Sequence, residues 1–210
     1  MRCIHCIYDC TLKGEDISWE TFKLAADLAR KADDDICIGG GEPTLHPEFL
    51  RMVRYAVKIW GPSYKGFDHV MVITNGTCSK SVWSRLIRIP DLEIKVSNDI
   101  FHNPRRIQPW VRSWAERTNN WWNPGDYYDI DLQGRAPRNR KAIQALCRKH
   151  KVEVTFDGFS CPEVVVEPSG KVIADHYALY DCGPLSLEAL KVGYLEIGRK
   201  DCAQELEEAA

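Results

Sequence analysis

The sequence holds no apolar run of about 18 residues, which excludes a membrane-spanning helix. No apolar signal-peptide core stands at its start, where Met1-Arg-Cys-Ile-His-Cys is polar and cysteine-rich. Charge of one sign is also lacking. Against 28 basic residues stand 30 acidic ones, and the net charge of −2 gives no bulk pull toward nucleic acid or a membrane surface. These absences lead us to expect a cytoplasmic protein. Its nine cysteines then read as metal ligands or buried thiols rather than disulfides. No second close cysteine pair follows the first cluster, so a four-ligand zinc ribbon is not completed. At 210 residues the chain fits one domain, or one domain with a small appendage.

What is present begins with the cysteines. Cys3, Cys6 and Cys10 fall where one loop can turn three soft thiolate ligands toward a common centre, which suits an iron–sulfur cluster or zinc. Ser18 is a candidate N-cap for a helix from about Trp19 to Lys31, with Phe22, Ala25, Ala26 and Ala29 on its apolar face. The acidic Asp33-Asp34-Asp35 run reads as a solvated connection. Ile36-Cys37-Ile38 reads as a short buried parallel strand, with Cys37 a core thiol. Gly39-Gly40-Gly41-Glu42-Pro43-Thr44 follows at once, with glycines that bare the backbone and a carboxylate just past the strand end.

Pro47 opens a second helix whose apolar face is Phe49, Met52, Val53, Ala56, Val57 and Trp60, stopped by Gly61-Pro62. Val70–Ile73 is a second strand ending in Thr74-Asn75-Gly76, then comes a helix over about Lys80 to Ile89. Leu92–Val96 is a third strand ending in Ser97-Asn98-Asp99, with Phe101-His102 just after. Strand and helix alternate as in a parallel α/β sheet. Such sheets place ligands at the C-terminal ends of their strands, and right-handed crossovers put all these motifs on one rim.

Further on, Trp110 and Trp114 lie four apart, as on the buried face of a helix, and Trp121-Trp122 could wall a substrate. Tyr127–Leu132 reads as a strand ending in Gln133-Gly134-Arg135-Ala136, followed by a helix from Arg138 to Lys149 and a strand from Val152 to Phe156. Val164–Val166 and Lys171–Ile173 flank the turn Glu167-Pro168-Ser169-Gly170 as a hairpin. Leu185–Leu190 and the Glu-rich tail from Gln204 read as solvated helix or fray.

The ordered set of motifs resembles the radical S-adenosylmethionine (radical SAM) enzymes over roughly residues 1 to 140. Gly40-Gly41-Glu42-Pro43 is similar to the family's GGEP motif, Thr74-Asn75-Gly76 to its TNG, and Ser97 to His102 to its S-x-D-x-F-H variant. The resemblance implies a 4Fe–4S cluster held by three cysteines, with the open iron binding S-adenosylmethionine. It implies an α/β fold of the partial (β/α)6 TIM-barrel type with parallel strands, here lacking the usual first strand. A barrel over residues 1–158 and a small hairpin extension over 159–210 follow. Gly40, Gly41, Glu42 and Pro43 would meet the methionine amino group, with Thr74 and Asn75 beside them. Ser97 and Asp99, with His102, would face the ribose or substrate, and Arg135 the carboxylate of the methionine moiety. An electron donor such as flavodoxin or ferredoxin, and a peptide or small-molecule substrate, complete the implied partners.

Two features depart from the family pattern. The cysteines are spaced C-x2-C-x3-C, the reverse of the usual order. Either Cys3, Cys6 and Cys10 are the three ligands, or Cys3 and Cys6 are the second and third of a set whose first lies upstream. The extension resembles a reduced form of those that carry auxiliary clusters. Cys161, Cys182 and Cys202 are then either a second cluster, structural thiols, or part of a zinc site with His176. Two other functions stay open at this point: an activase for a glycyl-radical enzyme, and a non-catalytic iron–sulfur or zinc module.

Overall fold

A computed structural model describes residues 14–62, 68–102, 104–122, 127–129, 136–155, 163–176 and 178–208. Helix α1 (Trp19–Lys31) begins where expected. Ser18 Oγ accepts the Thr21 N–H at 3.0 Å, and Glu20 and Arg30 sit at the ends the helix dipole favours. Strand β1 (Ile36–Ile38) leads through a 3-10 turn (Pro43–Leu45) into helix α2 (Phe49–Trp60). That helix starts two residues past Pro47, because Pro47 and Glu48 form a turn. Strand β2 (Val70–Thr74), helix α3 (Lys80–Leu86), strand β3 (Glu93–Ser97) and helix α4 (Pro109–Thr118) follow. Strand β4 (Trp121–Trp122) closes a parallel sheet of order β1-β2-β3-β4. Strand β5 (Tyr127–Asp129), helix α5 (Ala136–His150) and strand β6 (Glu153–Thr155) form a further βαβ unit in which β5 and β6 pair in parallel.

Alternation along the strands sorts the two faces of the sheet. Val72, Ile94 and Val96 are buried under Phe49, Val53, Trp83, Leu86, Val111 and Ala115 from α2, α3 and α4. Val70 packs with Phe22 and Ala26 of α1 and Met52, Ala56 and Trp60 of α2. All four helices therefore cover one face, as same-handed crossovers require. Cys37, Met71, Glu93 and Lys95 alternate onto the other face, where Lys95 pairs with Glu93 at 2.8 Å.

Several expectations change. Cys37 is exposed rather than a core thiol, because Ile36 and Ile38 take the helix-covered positions of a three-residue strand. Trp121 packs on the helix-side core, as Trp110 and Trp114 do, so of the Trp121-Trp122 pair expected to wall a substrate this member does not, and the side chain of Trp122 lies outside the described residues. The hairpin of strands β7 (Glu163–Val166) and β8 (Lys171–His176) turns as expected, with Gly170 at φ +80 donating to Glu167 O at 2.8 Å. A third antiparallel strand, β9 (Ala178–Pro184), joins it.

Up to Glu208 the tail is helical, as one of the two expectations had it, but with a buried face rather than a solvated one. Helices α6 (Leu187–Glu196) and α7 (Lys200–Glu208) bury Leu190, Tyr194, Cys202, Ala203 and Leu206 with Val172 and Ala174 of β8 and with Leu28 and Ala32 at the end of α1. Arg199 adds a link to the acidic turn, its Nη1 lying 3.2 Å from Asp34 Oδ1. The boundary expected between residues 158 and 159 lies outside the described residues. Among those described, no helix is long and apolar enough to cross a membrane.

Candidate functional site

The site is built where β1 and β2 end. Past Ile38 the chain turns through Gly39–Gly41, with Gly40 at φ +102, a conformation that glycine adopts without strain. Among the described residues, a Cβ built on Gly39 or Gly40 would meet nothing within 4 Å, so none of them covers the backbone on that side. Glu42 then returns to extended geometry and caps the 3-10 turn that Pro43 opens.

The Glu42 carboxylate draws in four donors from two loops. Its Oε1 accepts the Thr44 hydroxyl at 2.5 Å, the Thr44 N–H at 3.3 Å and the Thr74 hydroxyl at 2.6 Å. Its Oε2 accepts the Asn75 N–H at 2.7 Å. Thr44, Thr74 and Asn75 are all buried, so water does not compete strongly for these bonds. The GGEP and TNG motifs are thus tied directly to each other. Oε1 is saturated, whereas Oε2 retains acceptor capacity beyond Asn75.

The turn after β2 is held independently. Asn75 Oδ1 accepts the Thr77 N–H at 3.1 Å and the Thr77 hydroxyl at 2.7 Å, an Asx-type turn. Gly76 sits at φ +73, and a Cβ there would approach Ile107 Cγ2 to 2.9 Å and Val111 Cγ1 to 3.2 Å. Its carbonyl accepts the Gln108 N–H at 2.9 Å, which seats the start of α4 against the turn. This glycine is needed for both conformation and close approach.

At the end of β3, Ser97 is buried and follows Val96, whose strand partner is Thr74. Asp99 Oδ1 accepts the Phe101 and His102 N–H groups at 2.8 and 3.1 Å, and Oδ2 lies 2.7 Å from His102 Nδ1. Both side chains of that pair are nearly buried. The carboxylate therefore fixes the turn and the orientation of the imidazole together.

His46 carried no signal in the sequence, since one of its partners stands 29 positions away. Its Nε2 is 2.9 Å from the carbonyl of Ile17, and its Nδ1 accepts the Glu48 N–H at 3.0 Å. Cys37 faces the side of the sheet opposite the helices. Although the residue is exposed, the protein atoms crowding its sulfur desolvate it, and with the carboxylates of Glu163 and then Glu93 they push that thiol up to about 11. Cys78, just past the Thr74-Asn75-Gly76 turn, is pushed up to about 12 by burial and then by the Glu42 carboxylate.

Cys3, Cys6, Cys10, Arg135 and Cys161 lie outside the described residues. In the extension, Cys202 is buried in the apolar core and its sulfur accepts from Arg199 Nη2 at 2.8 Å, while Cys182 packs against the same core. A groove of about 400 Å³ lined by Arg54, Lys58, Arg85 and Arg88 belongs to the helix side, not to the strand-end motifs.

A family model described as the Radical SAM superfamily matches residues 1–121, more than half of the 210 residues. Comparison with curated proteins and with solved structures gives no match.

Proposed function

The chain belongs to the radical SAM superfamily, and from that membership we propose that it cleaves S-adenosylmethionine reductively and abstracts hydrogen from a peptide or small-molecule substrate. It is a radical SAM enzyme, and members of the superfamily use a 4Fe–4S cluster and S-adenosylmethionine. The observation that carries the finer reading is the Glu42 carboxylate, which ties the bare glycine loop to the Thr74–Asn75 turn.

Three thiols are the donor set an iron–sulfur cluster takes, and Cys3 and Cys6, with Cys10 or an upstream cysteine, would hold it. When bound, the cluster supplies the electron that splits S-adenosylmethionine to methionine and a 5′-deoxyadenosyl radical. The protein's part is binding and orientation. The backbone of Gly40 and Gly41 and the remaining acceptor capacity of Glu42 Oε2 would receive the methionine ammonium. Pro43 fixes the turn behind them. Ser97, Asp99 and the His102 that Asp99 orients would face the ribose or substrate, and Arg135 would pair with the methionine carboxylate. The parallel sheet would form the wall of a partial (β/α)6 barrel, and a flavodoxin or ferredoxin would reduce the cluster. The folded extension supports peptide or small-molecule modification over an activase role.

The test is anaerobic reconstitution with iron and sulfide, then dithionite and S-adenosylmethionine, with chromatography for 5′-deoxyadenosine. About four irons per chain and 5′-deoxyadenosine are expected. Cys3→Ala and Cys6→Ala should abolish both, and Cys10→Ala separates the two ligand frames. A loaded cluster that yields no 5′-deoxyadenosine beyond a no-protein control refutes the proposal.

A further inference from the structure

We infer that His46 is a positioning residue that holds the segment leaving the cysteine loop in register with the glycine–acid loop after β1. The inference rests on the proposed function, since it concerns how two halves of one cofactor site are aligned. The Glu48 backbone amide can only donate, so His46 Nδ1 must be the acceptor and carries no proton. The proton therefore sits on Nε2, which donates to the carbonyl of Ile17. Both ring nitrogens are committed, and the tautomer is set by the partners.

The two ends of this bridge occupy telling places. Ile17 immediately precedes the Ser18 N-cap, so its carbonyl lies just outside the helix ladder, whose first bond runs from Phe22 N–H to Ser18 O at 2.9 Å. Ile17 follows Cys10 by seven positions in the sequence, so the bond tethers the described end of the segment that comes after the cysteines. At the other end, the His46 N–H donates to Pro43 O at 3.0 Å, closing the 3-10 turn that Glu42 caps. An unbroken run of hydrogen bonds thus leads from Ile17 through His46 and the Pro43 turn to Glu42, and on to Thr74 and Asn75. A cofactor chelated at one end and hydrogen-bonded at the other requires these loops to be aligned to a fraction of an ångström. Among the described residues, His46 is the side chain that hydrogen-bonds Ile17 to the Pro43 turn.

Substitution can separate the two bonds. An Asn side chain accepts from the amide two residues on, as Asn75 does from Thr77 in this chain. His46→Asn should keep the Glu48 bond, yet it is too short to reach Ile17. His46→Ala loses both. In reconstituted protein, His46→Asn should retain its iron and its melting temperature. It should bind S-adenosylmethionine at least about tenfold more weakly by calorimetry, with a smaller change in the reduced cluster's paramagnetic resonance spectrum on adding it. His46→Ala should also melt lower. An affinity equal to wild type in His46→Asn overturns the inference, whatever its melting temperature.

Should the variants fail to fold, long-range nitrogen–proton spectra of wild-type protein decide. A proton on Nε2 that exchanges slowly with solvent is expected, and a proton on Nδ1 overturns the inference. Failure of the proposed function would look different: wild type itself would give no 5′-deoxyadenosine, with the tether still visible in those spectra.

Discussion

Glu42→Gln tests how the site is held. An amide keeps the shape of the carboxylate but offers one acceptor oxygen and one donor group. With the amide oxygen in the Oε1 position, three of the four donors keep a partner, now without the charge that strengthens such bonds. The NH2 group then faces the Asn75 N–H across 2.7 Å, donor against donor. Asn75 is buried, so water does not replace the lost bond. Leaving a buried donor unsatisfied costs about 1–3 kcal/mol, and weakening the remaining bonds adds a similar amount. A total of about 3 kcal/mol lowers the melting temperature of a chain this size by roughly 6–12 °C. Urea unfolding followed by tryptophan fluorescence would measure it. Binding of S-adenosylmethionine should fall as well, because the Thr74–Asn75 turn is released. If Glu42→Gln melts like wild type, the carboxylate is not a brace, even if ligand binding is lost.

Two further outcomes follow from the same region and from the thiols. Gly76→Ala forces a Cβ onto a left-handed backbone and to within 2.9 Å of Ile107, so chemical denaturation should show a loss of at least about 2 kcal/mol; a smaller loss would mean that the seat of α4 yields easily. Alkaline lability follows from Cys78 and Cys202, which burial first, then the carboxylates of Glu42 and Asp34 respectively, push up from 9.0 to about 12 and about 11. Above pH 9 the unfolded chain loses these protons before the folded one, so stability present below that value declines as pH rises toward 11. Urea midpoints measured from about pH 8 to 10.5 should fall steadily, and a flat or rising series contradicts the assignment.

Local chemistry made much of the fold legible. Ser18 announced α1 because a hydroxyl cap acts within one turn, and β1, β2 and β3 stood out as apolar runs cut off by glycine or polar residues. Three residues are too few to reveal a period, so the face taken by Cys37 could not be read from Ile36-Cys37-Ile38 alone. The tail misled for a different reason. Its buried face is made of Ala189, Leu190, Gly193, Tyr194, Cys202, Ala203 and Leu206, several of them small, amid many glutamates. Such a face is buried because α1 and β8 cover it. Within the site, the GGEP and TNG motifs were visible as separate strand ends. Their joining through Thr44, Thr74 and Glu42, and the bridge from His46 to Ile17, depend on partners about thirty positions away.

The pair of Asp34 and Arg199, 165 positions apart, bears on how the chain reaches its folded state. Helix α1 leaves the ribosome early and can cap itself at once, yet the cluster that buries Leu28 and Ala32 at its end is not complete until β8, α6 and α7 have been made. Contacts of this span form late, because so much chain must be ordered to close them. Throughout synthesis, the end of the helix that follows the cysteine segment stays sticky, open to chaperones or to other nascent chains. Chains ending before Leu187 would carry that bare surface permanently, so the last two helices guard the first.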